Sequence, residues 1–472
     1  MMARMASEDT RTTKPTSTSP TVRTPGTPGT APRPEPGGTA PRTWVTRLVV
    51  VGIVLSALNL RPAITSLGAL LQEVRDGLGM SGGVAGLLTS MPPLCFAVFG
   101  VTAPRLARRF GAGTVVCAGM AAVTAGLLIR PYTGGTAGFL AASALALMGM
   151  SVGNVLMPVI VKRWFPDRVG PMTGLYSMAI ALGTAAAAAA TVPLTGALGG
   201  DWRTGLAVWA GLAAAAVLPW VPVVRDRGPA PAAPAPGKVP APDAGEGKAP
   251  ASDASEGKAS APTAGEGQRP ALRITRSRTA WALAVFFGLQ ATGAYIAMGW
   301  MPQIFRDAGV PASTAGVLLA VTMVMGVPLA FVIPRLAARL PHQGPIVLVL
   351  GVCGLAGYAG LYCAPAAGAW AWALLIGISN CAFPLALTMV GMRARTGAGV
   401  AQLSGFAQST GYLISVPGPL LVGVLYQSSG GWGLPLALMS ALMLPQMAAG
   451  LLAGRDRTVE DEAGAMPRTA GR

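Results

Sequence analysis

The strongest constraint on this chain is a succession of long apolar runs. From Trp44 onward they fall at roughly 44–70, 84–103, 114–130, 136–161, 171–193 and 204–223, and again at 280–304, 313–333, 345–363, 369–391, 400–426 and 433–453. A helix needs roughly 20 residues to cross a hydrocarbon core of about 30 Å, and each run has about that length. The expected fold is therefore an all-α membrane protein with twelve transmembrane helices in two sets of six. Composition agrees: 52% of residues are hydrophobic and only 11% charged, with a mean hydropathy of +0.54, whereas a soluble domain carries about 25% charged residues. The 63 glycines and 21 methionines suit helices that approach closely in lipid. A disordered protein, a secreted disulfide scaffold and an ordinary cytosolic enzyme are excluded.

The net charge of +17 would suit a nucleic-acid partner if the charge were contiguous. Instead it is scattered through short loops and tails, which is how a membrane protein fixes its orientation. With a cytosolic N-terminus, ten basic residues fall in the loops after spans 2, 4, 8 and 10: Arg105, Arg108, Arg109, Lys162, Arg163, Arg168, Arg335, Arg339, Arg393 and Arg395. The five opposite loops hold four, namely Arg75, Arg130, Arg203 and Arg306. Both termini are expected in the cytosol of a cell-membrane protein, with the bilayer as partner and no nucleic acid. Cys95, Cys117, Cys353, Cys363 and Cys381 show no metal-ligand spacing and read as small hydrophobes. No metal and no cofactor are expected.

Residues 1–43 hold 11 Thr and 8 Pro with scarcely an aliphatic side chain, and read as a disordered cytosolic tail. The segment 225–279 reads as a cytosolic linker. Its middle, 229–270, has 12 Ala, 9 Pro and 6 Gly, with a ten-residue repeat seen as AGEGK, ASEGK and AGEGQ. Such low-complexity sequence joins domains without dictating how they pack. The division is then a helical bundle at 44–224, a second at 280–454 and a cytosolic tail at 455–472.

The two halves repeat one another at a shift of about 230 residues. LLQEVRDGLGMSGGVAGLL from Leu70 matches MPQIFRDAGVPASTAGVLL from Met301, which sets Arg75 and Asp76 on Arg306 and Asp307. PRLARRF from Pro104 matches PRLAARL from Pro334, Asn154 with Pro158 falls on Asn380 with Pro384, and Thr173-Gly174 falls on Ser404-Gly405. A six-helix unit duplicated in the same direction gives two pseudo-symmetric bundles about an axis along the membrane normal, with a substrate site between them at the midplane.

These features, with LNLRPAITSLGALL from Leu58, GLLTSMPPLCF from Gly86, GLQATGAYIAMGWMPQIFRDAG from Gly288 and LSGFAQSTGYLISVPGPLLVG from Leu403, resemble the major facilitator superfamily, and within it the bacterial cyanate/nitroimidazole transporter group. The resemblance covers about 44–224 and 280–454. It implies the major facilitator fold and secondary transport of cyanate-like or nitroimidazole-like solutes. The superfamily's loop motif after span 2 is matched at Gly100, Leu106, Ala107, Arg109 and Gly111, but Arg108 stands at the motif's Asp position. In the second copy Leu336, Ala337 and Arg339 match, while Ala338 takes the Asp position and Pro341 that of the Gly. Arg105, Arg108, Arg109, Arg335 and Arg339 are therefore gating-loop candidates or plain positive-inside anchors. Gly170, Pro171 and Gly174 give only a fragment of the span 5 signature of proton-coupled drug exporters.

Within the two bundles the acids are Glu73, Asp76, Asp167, Asp201 and Asp307, all in loops or at helix ends, and the lone His342 is in a loop. A membrane enzyme or an intramembrane proton relay needs such groups at depth, so no enzyme is expected. One charge does lie inside: Arg61, about thirteen residues past Leu48, sits roughly 20 Å into the bilayer. An arginine near a helix centre costs about 2.5–3.5 kcal/mol on insertion scales. It either snorkels to the interface or recognises a small anion through its planar fork. Pro62 beside it, where a helix breaks, and Thr292 at the repeat-related position favour recognition. Asn59, Asn154, Gln290, Tyr295, Trp300, Asn380, Gln408 and Tyr412 are the other candidates to line the site; each amide could equally form an interhelical hydrogen bond.

The sequence thus points to a monomeric secondary active transporter of a small, anionic solute working by alternating access, with a coupling proton left open as a partner. The alternatives are an efflux pump for amphipathic drugs, which would want an acid in spans 1, 4 or 7, and a non-transporting receptor or scaffold.

Overall fold

The computed structural model describes residues 43–225 and 274–464. The N-terminal tail through residue 42, the linker repeats and the last eight residues of the C-terminal tail lie outside the described residues. Among the described residues there is helix and no strand.

Span 1 is Thr43–Asn59 continued by Pro62–Ala69, span 2 Gly82–Phe110, span 3 Ala112–Ile129, span 4 Thr136–Trp164, span 5 Val169–Ala197 and span 6 Trp202–Val217 continued by Trp220–Arg225. In the second half, span 7 is Arg278–Asp307, span 8 Ala312–Val324 with Gly326–Arg339, span 9 Gly344–Cys363, span 10 Ala369–Ser379 with Ala382–Met392, span 11 Gly397–Ser415 with Pro417–Ser429 and span 12 Gly433–Ala453. Eleven are long and apolar enough to cross a membrane. Span 6 is interrupted at Leu218-Pro219, since neither Pro219 nor Pro222 can donate the helical hydrogen bond.

Proline also explains the other breaks. Pro62 cannot donate to the Leu58 carbonyl, and the chain turns at Leu60-Arg61 before the helix resumes. In span 10, Pro384 cannot donate to the Asn380 carbonyl, which accepts from the Phe383 amide at 3.2 Å instead. Helix starts are capped where the chain re-enters a span: the hydroxyls of Ser81, Ser277 and Thr396 accept from the amides of Val84, Ala280 and Gly399.

Span 2 packs on span 11, span 5 on span 8, and span 1 on span 7. Because the repeat carries span 2 onto 8 and span 5 onto 11, the first two contacts are one contact made twice. They are tightest on the face away from the chain ends, here the distal face. There a Cβ added to Gly68, Gly86, Gly316 or Gly423 would come within 2.0–2.7 Å of a backbone oxygen of the other half. Toward the opposite face, which carries Trp44 and Ala453, a Cβ at Gly100, Gly174 or Gly405 would meet nothing within 4 Å. The halves are closed distally and apart on the termini face.

The termini face holds an unforeseen element. Expected as a tail, the chain after span 12 forms a short helix, Val459–Gly464, with Val459 buried. The Glu462 carboxylate accepts from Thr279 Oγ1 at 2.7 Å, Ser277 Oγ at 2.5 Å and the Thr279 amide, at the start of span 7. Glu460 accepts from the Arg395 amide at 3.1 Å, and Asp461 pairs with the Arg395 guanidinium at 2.7 Å. Beneath it the buried Arg393 donates to the carbonyls of Ala453 and Gly454 at 2.9 Å and to Gln343 Oε1.

Candidate functional site

The break in span 1 puts Arg61 at the cap of the helix that follows, with φ −133° and ψ −25°, so its side chain leaves the helical track and enters the space between the halves. It is partly accessible. Its Nη1 donates to Tyr295 Oη on span 7 at 3.4 Å, and its guanidinium lies 5.6 Å from the centre of the Phe96 ring on span 2. Both observations put Arg61 at the interface of the two halves and not at a lipid surface. Among the described ion pairs none involves Arg61, so the cation faces this space without a carboxylate.

Around it the rings form a continuous layer. Phe96 stacks on Tyr412 of span 11 at 5.3 Å and lies 6.4 Å from Tyr295. Tyr412 meets Phe287 of span 7 edge-on at 5.1 Å, and Phe287 lies 5.7 Å from Phe383 of span 10. A guanidinium from span 1 on an aromatic wall from spans 2, 7, 10 and 11 suits a flat anion: the fork supplies directed donors and the rings supply faces for stacking.

The remaining candidates divide by position. Asn154 Oδ1 accepts from Tyr176 Oη at 3.0 Å between spans 4 and 5. Gln290 Nε2 donates to the Asn380 carbonyl at 3.4 Å, the carbonyl that Pro384 cannot serve, while Gln290 Oε1 and Asn380 Nδ2 keep unused hydrogen-bonding capacity. The repeat-related asparagines thus each meet a neighbouring span of their own half, Asn154 through its side chain and Asn380 through its carbonyl. Gln408 donates to Ser404 Oγ at 2.7 Å on its own helix. Asn59 turns away from Arg61: its Nδ2 donates to the carbonyls of Leu55 and Leu212, at 2.8 and 3.0 Å, and ties the break to span 6. Trp300 is fully buried nearer the distal face, donating to Thr89 Oγ1 at 3.1 Å among Tyr426 and Trp432. It belongs to the closed end of the interface.

Of the gating-loop arginines, Arg105, Arg108, Arg109, Arg335 and Arg339 are exposed. Arg335 donates to the Phe331 carbonyl of its own helix at 2.9 Å, and Arg109 lies over the neighbouring Phe110. Arg393 and Arg395 anchor the chain after span 12 on the termini face. Arg130, counted above with a distal loop, is buried inside the first half. Phe96, Phe287 and Phe383 went unnamed in the sequence reading because a phenylalanine within an apolar run offers no contrast with its neighbours. No group of His, Cys, Asp and Glu among the described residues could hold a metal ion.

This architecture has relatives. The Major Facilitator Superfamily pattern matches residues 49–416. The chain is 34% identical over 413 residues to the uncharacterized transporter YycB of Bacillus subtilis (strain 168), covering 87% of this chain and 94% of that one. It is 31% identical over 420 residues to the 2-nitroimidazole transporter of Escherichia coli (strain K12), covering 87% and 96%. Among solved structures, the xylose transporter XylE from E. coli superposes with a TM-score of 0.64 at 11% identity, over 89% of this chain and 99% of that one, a likeness of fold. Spans, repeat and relatives together place the chain in the major facilitator superfamily, as a multi-pass membrane transporter resembling the cyanate/nitroimidazole group.

Proposed function

We propose that this protein is a secondary active transporter that carries a small, planar, anionic solute past Arg61 by rocking its two halves, with both termini cytosolic. The observation that carries the reading is Arg61 itself: a cation between the halves with no carboxylate partner, held by Tyr295 and walled by Phe96. An unpaired charge at this depth is costly, and an anionic solute offsets that cost during its passage. The resemblance to cyanate and nitroimidazole transporters points to solutes of the same size. Distal closure with separation at the termini face corresponds, in this orientation, to a site facing the cytosol.

The test is uptake of cyanate and of 2-nitroimidazole into proteoliposomes. Arg61→Ala should lower uptake by more than about 30-fold, since removing one partner of a buried charge pair costs about 2–5 kcal/mol. Arg61→Lys should restore little, because an ammonium lacks the planar fork. Near-normal transport by an inserted Arg61→Ala protein would overturn the assignment. Reporter fusions after Arg225 and after Asp201 should read cytosolic and external respectively; the reverse would overturn the orientation.

A further inference from the structure

Arg61 carries a charge into the space between the halves that nothing there balances. Its Nη1 donates to Tyr295 Oη at 3.4 Å, while Nε and Nη2 are neither hydrogen-bonded nor enclosed. Tyr412 Oη, on the ring stacked against Phe96, and Asn154 Nδ2, on the amide that Tyr176 holds, are likewise accessible and unpartnered, and both can donate. The titratable groups that act on the Arg61 charge are the phenols of Tyr295, Tyr412 and Tyr176, which hold their protons at neutral pH. The acids of the two bundles, Glu73, Asp76, Asp167, Asp201 and Asp307, stand in loops or at helix ends. At the repeat-related position Thr292 donates to the Gly288 carbonyl of its own helix at 2.9 Å, so the second half sets no second cation there.

The halves are closed distally and apart on the termini face, so the opposite state is reached only by shutting the termini face before the distal face opens. Between the two, both faces are closed and water leaves the space around Arg61. A cation that loses its water and gains no counter-charge is strongly penalised. Hydroxyls and ring faces supply dipoles alone, whereas an anion on the guanidinium fork supplies the missing charge. The loaded protein therefore crosses this stage over a lower barrier than the empty one. We infer that this protein is an anion exchanger, which carries one monovalent anion inward for each one it carries outward and returns empty only slowly. The inference rests on Arg61 being the recognition residue, and it adds the mode of transport: the driving force is the gradient of a second small anion, since the phenols around Arg61 offer no group that takes up and releases a proton near neutral pH. One cation between the halves sets the stoichiometry at one anion per passage, so the exchange moves no net charge.

The test is uptake of labelled cyanate by the full chain in proteoliposomes loaded with unlabelled cyanate or, at equal ionic strength, with gluconate. Internal cyanate should raise the initial rate by at least about 10-fold, the effect of about 1.4 kcal/mol of barrier. A potassium diffusion potential of either sign and a pH gradient should leave that rate unchanged. Equal rates into the two kinds of vesicle, or uptake into gluconate-loaded vesicles that follows the pH gradient, would overturn exchange; if Arg61→Ala still abolished that uptake, recognition by Arg61 would stand without it. A second measurement needs no substrate and decides the matter if cyanate is not carried. In nanodiscs in gluconate buffer, dyes on the distal ends of spans 2 and 11 report how often the empty protein switches between its distal-closed and distal-open forms. Arg61→Gln, which removes the charge, should raise that switching rate by at least about 10-fold. Equal switching rates in Arg61→Gln and the unmodified chain would show that the charge is no obstacle to the empty protein and would overturn the inference.

Discussion

At Gly68 the backbone of span 1 runs so close to span 7 that an added Cβ would lie 2.0 Å from the Met298 carbonyl oxygen, and at Gly183 one would lie 2.1 Å from the Leu58 carbonyl oxygen. The two clashes are alike in size and differ in what they join. Gly183 meets Leu58 within the first half, a contact that persists as the halves rock, so Gly183→Ala should cost stability in every state, about 1–3 kcal/mol by overpacking, read as a lower Tm. Gly68 meets Met298 across the halves, and its clash exists only while the distal face is closed. Gly68→Ala should therefore lengthen distances between spin labels on the distal ends of spans 2 and 11, with a smaller loss of Tm. Unchanged distances would refute this view of the interface. Single residues were unevenly legible in the sequence. Arg61 stood out as a charge in an apolar run, and Tyr295 and Tyr412 as polar tips. Asn59 misled, because the helix ends there and Arg61 leaves its track, so the two side chains part: Asn59 reaches the Leu212 carbonyl of span 6 while Arg61 turns to Tyr295 of span 7.

Among the elements, the spans were the most legible part because lipid demands length and apolarity together, and their interruptions were written in prolines at 62, 219, 384 and 417. The helix Val459–Gly464 was not legible, since VEDE reads as a solvated tail unless the distant helix starts it caps are known. Its attachment carries a pH dependence. Partial burial pushes the Glu462 carboxyl up, but hydrogen bonds from Ser277 and Thr279 outweigh this and hold it below the ordinary glutamate value of 4.5; Thr458 and Arg395 lower Asp461 likewise. Groups depressed on docking stabilise the docked form above their ordinary values and lose that contribution as pH falls through the lowered ones. The helix should stay protected from hydrogen exchange at neutral pH and become labile below about pH 4.5. Glu462→Gln should release it at pH 7, weakening docking by about 1–2 kcal/mol. Protection in Glu462→Gln equal to that of the unmodified chain would show that Val459 and the Arg393 contacts suffice.

For the whole molecule the repeat was the informative signal, and the structure shows both its symmetry and where it stops. Gln72 donates to Asp76 at 3.1 Å and the repeat-related Gln303 donates to Asp307 at 2.6 Å, one hydrogen bond formed in each half. The next position breaks the pattern, because Glu73 in the first half corresponds to Ile304 in the second. Arg306 therefore finds Glu73 across the interface, with both nitrogen–oxygen contacts at 2.9 Å. Arg75 has no such acid and lies over the Tyr426 ring at 5.7 Å, while Asp307 accepts from Tyr426 and Trp432 within its own half. Sequence alone showed the like residues, but which of them cross the interface depends on the three-dimensional placement of the unlike one. The Glu73–Arg306 pair, with side chains 33% and 22% exposed, spans the closed distal face and must part when that face opens. Solvent access limits its worth to about 1 kcal/mol, which is roughly a fivefold change in population. Glu73→Gln should raise the distal-open fraction by about that factor in spin-label distance distributions. Exchanging the charges, Glu73→Arg with Arg306→Glu, should restore the original distribution, since the attraction is retained with its sign reversed. If Glu73→Gln leaves the distal distances where they were, the closed face is held by the glycine contacts and the Trp300–Thr89 bond, and the ion pair only marks where the halves meet.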